Sequence, residues 1–230
     1  MKIGAIVQAR MSSTRLPGKV LHEVAGKPML LYLLDRMRQT VLLDSVVVAT
    51  SSDKMDDPVA LLCERHGITC YRGSLSNVAE RFMNVLDAYP IDAFVRLNGD
   101  SPLLDQRLVE RGSEIMRSND LDIVTNVFPR TYPKGQSVEI LKSSTFRAAY
   151  PYFQQGDDRE HVTTYFYRNS EKFRIFNFSS EISNDHIQLS VDTHEDMVIF
   201  EKVVSSMTRP HWEYTLDEIL KLHGRVTTCQ

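Results

Sequence analysis

Residues 2–21 read KIGAIVQARMSSTRLPGKVL, and the change of character at Gln8 decides the fold. The first seven residues are short, apolar and rich in β-branched side chains, the composition of a strand buried on both faces of a parallel sheet. The next stretch is polar. Residues 9–19 carry Arg10, Arg15 and Lys19, with Ser12, Ser13 and Thr14 between them and Pro17 and Gly18 before the lysine. A buried strand opening into such a loop is the first βα turn of an α/β sheet, where sheets of this class bind ligands outside the carboxyl ends of their strands.

Outward from that turn the pattern repeats. SVVVATS (45–51), ITCY (68–71) and DAFVRLNGD (92–100) read as further strands. Between them, Pro28 suits the first turn of a helix through MLLYLLDRM. Asp56, Asp57 and Pro58 open a second helix that stops at Gly67, and a third covers 76–88. A helix over 105–118, strands over 121–125 and 136–142, a helix over 157–169, extended segments at 173–178 and 187–191 and a helix over 194–206 follow. The last helix, 215–223, starts on a Thr215–Glu218 capping box and stops at Gly224. Alternating strands and helices predict an α/β, Rossmann-like, doubly wound and mostly parallel sheet in a single domain over 1–230. Residues 128–160, with Pro129, Pro133, Gly135, Pro151 and Gly156, read as an irregular insertion over it. The apolar faces at 29–37 and 197–204 read as core or dimer contacts.

Composition narrows the function. With 27 basic and 30 acidic side chains the formal charge is −3, so no global positive field exists to hold a nucleic acid. No apolar run approaches the roughly 18–20 residues of a membrane span. The N-terminal run of about five apolar residues is shorter than the roughly 7–15 of a signal sequence, so the expected compartment is the cytoplasm. Cys63, Cys70 and Cys229 form no CxxC pair, which argues against a disulfide framework or a zinc site and leaves buried or inert thiols.

Neither GxxxxGK[ST] nor GxGxxG is present, so the first loop is not a P-loop or a dinucleotide fingerprint. Its three cations and three hydroxyls suit a polyphosphate, since Arg offers bidentate donors and Lys a mobile point charge. A solvated basic loop is the alternative. Asp100 ends a strand in LNGDSPL and Asp192 follows an apolar run in LSVDTHED. Two carboxylates and phosphate oxygens would satisfy Mg²⁺ if both chain ends face one cleft; a turn or N-cap role is the other use of Asp at such places.

The segment AIVQARMSSTRLPGKVL (5–21) resembles the N-terminal signature of the CMP-sugar synthetases, roughly A-R-x-x-S-x-R-x-x-x-K, and is closer to the SpsF-like cytidylyltransferases of spore-coat polysaccharide synthesis. The similarity continues in order through GKPML (26–30), YRGSLSNVAERF (71–82), NGDSPLLD (98–105), SVEI (137–140), REHVTTY (159–165) and LSVDTHED (189–196). The ordered set carries the resemblance. It implies a nucleotide-diphospho-sugar transferase-like fold, a nucleotide-binding half at 1–127 and an acceptor-binding half at 128–230.

By the same resemblance the substrates are CTP and a small sugar-like acceptor, the cofactor is Mg²⁺ held by Asp100 and Asp192, and the assembly is a homodimer serving surface-polysaccharide synthesis. Arg10, Arg15 and Lys19 would hold the triphosphate, with Ser12 and Ser13 beside them. Lys19, Arg15 and Asp100 carry the catalytic step. Arg72, Arg81 and Asn98 are further nucleotide contacts, and Glu139, Arg159 and His161 form the acceptor site. Asp196 is a weaker candidate near the metal.

The chain has Asn98 and Ser101 around the Gly-Asp turn where the KDO synthetases favour Gln and Glu, so the acceptor is not assigned to KDO or sialate. Two other readings are a glycosyltransferase, which would carry a D-x-D motif that NGDSP lacks, and a catalytically silent nucleotide-binding subunit.

Overall fold

The structure, a computed structural model, describes residues 1–154 and 156–228. Cys229 lies outside the described residues. β1 (Ile3–Gln8) is the centre of the molecule: it pairs in parallel with β4 (Ser45–Ser51) on one side and β6 (Ala93–Asn98) on the other. β5 (Thr69–Gly73) extends the sheet beyond β4. Beyond β6 come β8 (Glu139–Lys142), β7 (Ile123–Thr125) and β9 (Ile175–Asn177), giving the order β5-β4-β1-β6-β8-β7-β9. β8 alone runs antiparallel to its neighbours. A two-stranded ribbon, β2 (Glu23–Val24) with β3 (Lys27–Pro28), follows the first loop.

Helices cover both faces because both faces of the central strands are apolar. One face buries Ala5, Val7, Val48, Val95 and Leu97 under α1 (Met29–Met37), α2 (Asp57–Arg65), α4 (Gln106–Ser118), α8 (His194–Ser205) and α9 (Leu216–Thr228). The other buries Ile6, Val47, Ala49, Phe94 and Leu141 under α3 (Val78–Ala88), α5 (Ser143–Ala149), α6 (Asp157–His161) and α7 (Thr164–Arg168). This second face changes character along the strands. Side chains on a strand alternate between faces, so Phe94, Arg96 and Asn98 share one, with Ile6 and Gln8 in register beside Arg96 and Asn98. The face is apolar where the strands begin and polar at their carboxyl ends.

Several local expectations are corrected. The helix expected over 157–169 is two short ones, broken at Val162, whose backbone is left-handed at φ +49°. Residues 136–138 of the expected strand lie before β8. The segment 187–191 adds no strand to the sheet; it makes a single bridge to Lys134, with the Lys134 amide donating to the Ile187 carbonyl at 2.9 Å. α9 continues through Gly224 to Thr228. Met197, Phe200 and Val203 are buried against α1 and α9, so that apolar face is core. No helix among the described residues is long and apolar enough to cross a membrane.

Candidate active site

The loop after β1 is folded by its own backbone. The Gly18 and Ser13 amides both donate to the Met11 carbonyl at 2.9 Å, and the Met11 amide donates to Asp56 Oδ1 at 2.6 Å. Asp56 is itself buried beside Ser51 at the end of β4. Gly18 at φ +74° turns the chain into a single 3-10 turn over Lys19–Leu21. A residue with a Cβ is strained there. The turn places the Lys19 side chain, 8% exposed, back over the sheet.

Lys19 is where the two distant acidic segments meet. Its Nζ donates to Asp100 Oδ2 at 2.9 Å, to Asp192 Oδ1 at 3.1 Å and to the Val191 carbonyl at 2.7 Å. The backbone brings those segments together first: the Val191 amide donates to the Asp100 carbonyl at 2.8 Å. Gly99 permits the close approach of β6 to the start of the loop, since a Cβ there would lie 3.1 Å from both the Gln8 carbonyl and the Ala9 Cβ. Asp192 is not the N-cap of α8. Thr193 is, in a capping box with Asp196, whose carboxylate also takes the Asp192 amide at 2.9 Å. Both metal candidates therefore aim their carboxylates at one point, and Asp196 is committed to the helix.

A cleft of about 280 Å³ opens here, over the carboxyl ends of β1 and β6. Gln8, Arg10, Ser13, Thr14, Arg15, Lys19, Asn98, Asp100 and Asp192 line it from the sheet and loops, Arg81 from α3, and Glu160 and His161 from α6. Arg15, more exposed, pairs with Asp192 at 2.9 Å, and Arg10 reaches across to Glu160 at 2.8 Å.

Arg81 is 1% exposed, and no carboxylate lies within ion-pair distance of it among the described residues. Its Nη1 donates to the Ser74 carbonyl and its Nε has no partner. Burial, and then the neighbouring Arg10, hold its guanidinium below the usual value, against the opposing pull of Glu160 and Asp56. The Oε1 of Gln8, the Oδ1 of Asn98 and the Nε of Arg96 are likewise shut from solvent without partners. Buried polar atoms are normally paired, so orphans gathered round one cleft mark a surface shaped for a polar ligand.

Other expected residues lie elsewhere. Ser12 and Arg159 are not in the lining. Arg72 braces the turn after β4, donating to the Ser51 and Asp53 carbonyls at 3.0 and 2.9 Å and pairing with Asp57 at 2.7 Å. Glu139 sits behind the cleft, 5% exposed, bonded to Arg96 and Tyr167. Arg96 is not singled out by the sequence because it lies inside a strand. The signal was the alternation that puts it on the face of Asn98.

Residues 4–228 match the cytidylyltransferase family model. The chain is 33% identical over 202 residues to the uncharacterized protein MJ1063 of Methanocaldococcus jannaschii, covering 87% of this chain and 82% of that protein. It is 30% identical over 205 residues to the spore coat polysaccharide biosynthesis protein SpsF of Bacillus subtilis, covering 83% and 81%. The structure of a cytidylyltransferase from Leptospira borgpetersenii superposes with a TM-score of 0.94 at 29% identity, over 99% of this chain and 96% of that one. The α/β fold is that of the nucleotide-diphospho-sugar transferases, and the chain belongs to the cytidylyltransferase family.

Proposed function

We propose that this chain is a cytoplasmic, homodimeric, Mg²⁺-dependent enzyme that transfers CMP from CTP to a sugar acid and releases pyrophosphate, in surface-polysaccharide synthesis. The observation that carries the reading is the Lys19 ammonium held between Asp100 and Asp192 beneath a loop of arginines. The name of the SpsF relative supports the pathway.

The residues present fit a magnesium ion. Asp100 and Asp192 offer hard carboxylate oxygens converging on one point, and Mg²⁺ favours one or two carboxylates with phosphate oxygens and water. Bound there, the ion would neutralise charge building up on phosphate oxygens. The chain's own residues do the rest. Arg10, Arg15 and Lys19 receive the triphosphate, with Ser13 and the loop amides as neutral donors. Triphosphate oxygens would draw Lys19 away from the carboxylates it now bridges, and Arg15 away from Asp192. Arg81 and Asn98 supply nucleotide contacts from α3 and β6.

An acceptor hydroxyl oxygen forms a bond to the α-phosphorus as the bond to the bridging oxygen of pyrophosphate breaks. The hydroxyl proton leaves to solvent, and Lys19 with Arg15 steadies the charge on the departing group. Such transfer depends mainly on positioning and charge neutralisation.

Pyrophosphate release tests the reading. With Mg²⁺ and a suitable sugar acid, CTP supports release while ATP, GTP and UTP do not. Lys19→Met and Asp100→Asn each lower turnover by about 10²- to 10³-fold, the usual loss of one charge-stabilising group. Both should still fold, by circular dichroism, with a lowered unfolding midpoint in Lys19→Met because it strands the Val191 carbonyl. Full activity in Lys19→Met overturns the mechanism.

A further inference from the structure

The cleft floor divides in two. The phosphate-binding loop and Arg81 lie towards β1, β4 and β5, whereas Arg96 lies towards β8, on the side of the reversed strand. Arg96 is the cross-strand partner of Glu139, and its side chain is 10% exposed and lines the cleft. Its Nη1 is fully employed, donating to Glu139 Oε2 at 2.7 Å and reaching Thr163 Oγ1 at 3.5 Å. Its Nε is shut from solvent with no partner, and among the described residues its Nη2 donates to nothing. Nη2, which is not shut in, is therefore the donor that Arg96 has left to offer the cleft it lines.

The guanidinium is held in place from behind. Tyr167 donates to Glu139 Oε1 at 2.7 Å, and its hydroxyl lies 2.9 Å from Thr125 Oγ1 on β7. Burial, and then the Glu139 charge, hold the Tyr167 phenol well above its ordinary value, so it stays a donor. Glu139 is thus bonded on both carboxylate oxygens and cannot swing to meet a ligand.

We propose that Arg96 recognises the acceptor by a charge-assisted contact of its free Nη2 with the carboxylate of a sugar acid, and that Glu139 and Tyr167 are positioning residues that keep that nitrogen presented. Glu139, expected from sequence to touch the acceptor, acts through Arg96. The proposal rests on the cytidylyl-transfer reading and names the chemical group that selects its second substrate.

The test uses the full chain with CTP and Mg²⁺ and a panel of keto-acid sugars and uronic acids, their neutral sugar counterparts and sugar phosphates. Pyrophosphate is released only with carboxylate-bearing members. Arg96→Gln and Arg96→Lys each raise the acceptor KM by roughly 10- to 100-fold, the loss of a charge-assisted contact held at a fixed point by a planar group that a lysine cannot rebuild. Thermal stabilisation by CTP stays at the wild-type level in both. Glu139→Gln raises the acceptor KM less, at unchanged kcat.

Because Arg96→Gln leaves the Glu139 charge buried alone, the double variant Arg96→Gln/Glu139→Gln serves as the folded control and shows the same KM defect. Turnover of neutral or phosphorylated sugars alone, turnover of no sugar acid, or a wild-type acceptor KM in the double variant overturns the proposal. Absence of any CTP stabilisation in the wild type would instead sink the nucleotide reading, and this assignment with it.

Discussion

Arg36 on α1 and Arg81 on α3 lie on opposite faces of one sheet, 0% and 1% exposed. Arg36 engages all three of its nitrogens: Nε on the Leu104 carbonyl and Nη2 on the Tyr214 carbonyl, each at 2.7 Å, and Nη1 on the His211 carbonyl, with Asp105 at 3.7 Å. It ties α1 to the turn before α4 and to the segment before α9. Burial lowers its pKa to about 10, Asp105 opposing. Arg81, which lines the cleft, has one carbonyl and a buried Nε without a partner. A buried cation whose bonds are all filled by its own chain is part of the frame; one left with idle donors waits for a ligand.

The largest effect should come from removing the framework arginine. Arg36→Met strands three buried carbonyls, while Asp105 keeps Arg107 at 3.1 Å, and costs about 3–5 kcal/mol in urea unfolding. Arg81→Met deletes an unpaired buried charge and changes stability by no more than about 1 kcal/mol. In calorimetry it weakens CTP binding by roughly 10- to 100-fold. Equal losses of stability in the two variants would erase the distinction.

The same contrast explains what was legible in the sequence. β1, β4 and β6 lie within a residue or two of their expected spans because strands buried on both faces need continuous apolar runs. That the loops of Lys19 and Asp100 share one end of the sheet was readable from the rule that ligands gather at strand carboxyl ends, whereas Asp192, which follows no strand of the sheet, rested on the family resemblance. The direction of β8 was not, since nothing in EILK says which neighbour it pairs with or which way it runs. The break at Val162 carries no Gly or Pro to announce it, and α5 begins Ser-Ser-Thr, which reads as loop. The family resemblance puts Glu139 in the acceptor site, but its partner depends on a cross-strand register that only the folded sheet sets.

A pH titration sharpens the comparison from the framework side. His211 packs beside Arg36, 6% exposed, with Nε2 3.0 Å from the Tyr32 carbonyl. Burial pushes its pKa down to about 4, against an upward pull from its hydrogen bond to Tyr32. Below about 6.5 the unfolded chain takes up a proton that the folded chain refuses until about pH 4. This contribution is therefore intact above pH 6.5 and lost as pH falls to 4, at about 1.4 kcal/mol per pH unit for one proton. Burial lowers His223 as well, so the measurement is the difference between the wild type and His211→Asn in urea across that window. The variant's curve should be the flatter one. Parallel curves would show that His211 is free to charge in the fold.

The smallest expected difference is between two asparagines, and it asks the same question of neutral groups. Asn126, fully buried after β7, donates from Nδ2 to the Gln136 carbonyl and accepts at Oδ1 from the Val138 amide, both at 2.8 Å. Its amide closes the gap between β7 and β8, so Asn126→Ala leaves two backbone groups unpaired and costs about 2 kcal/mol. Asn98 sits at the end of β6 with its Oδ1 already unpartnered. Truncating it removes an unsatisfied acceptor rather than a bond, and the change in unfolding free energy stays within about 0.5 kcal/mol. The loss falls on ligand binding, as a severalfold weaker affinity for CTP. If Asn98→Ala is as costly to the fold as Asn126→Ala, its side chain is bonded within the protein, and the row of idle polar groups along β1 and β6 no longer marks the binding surface.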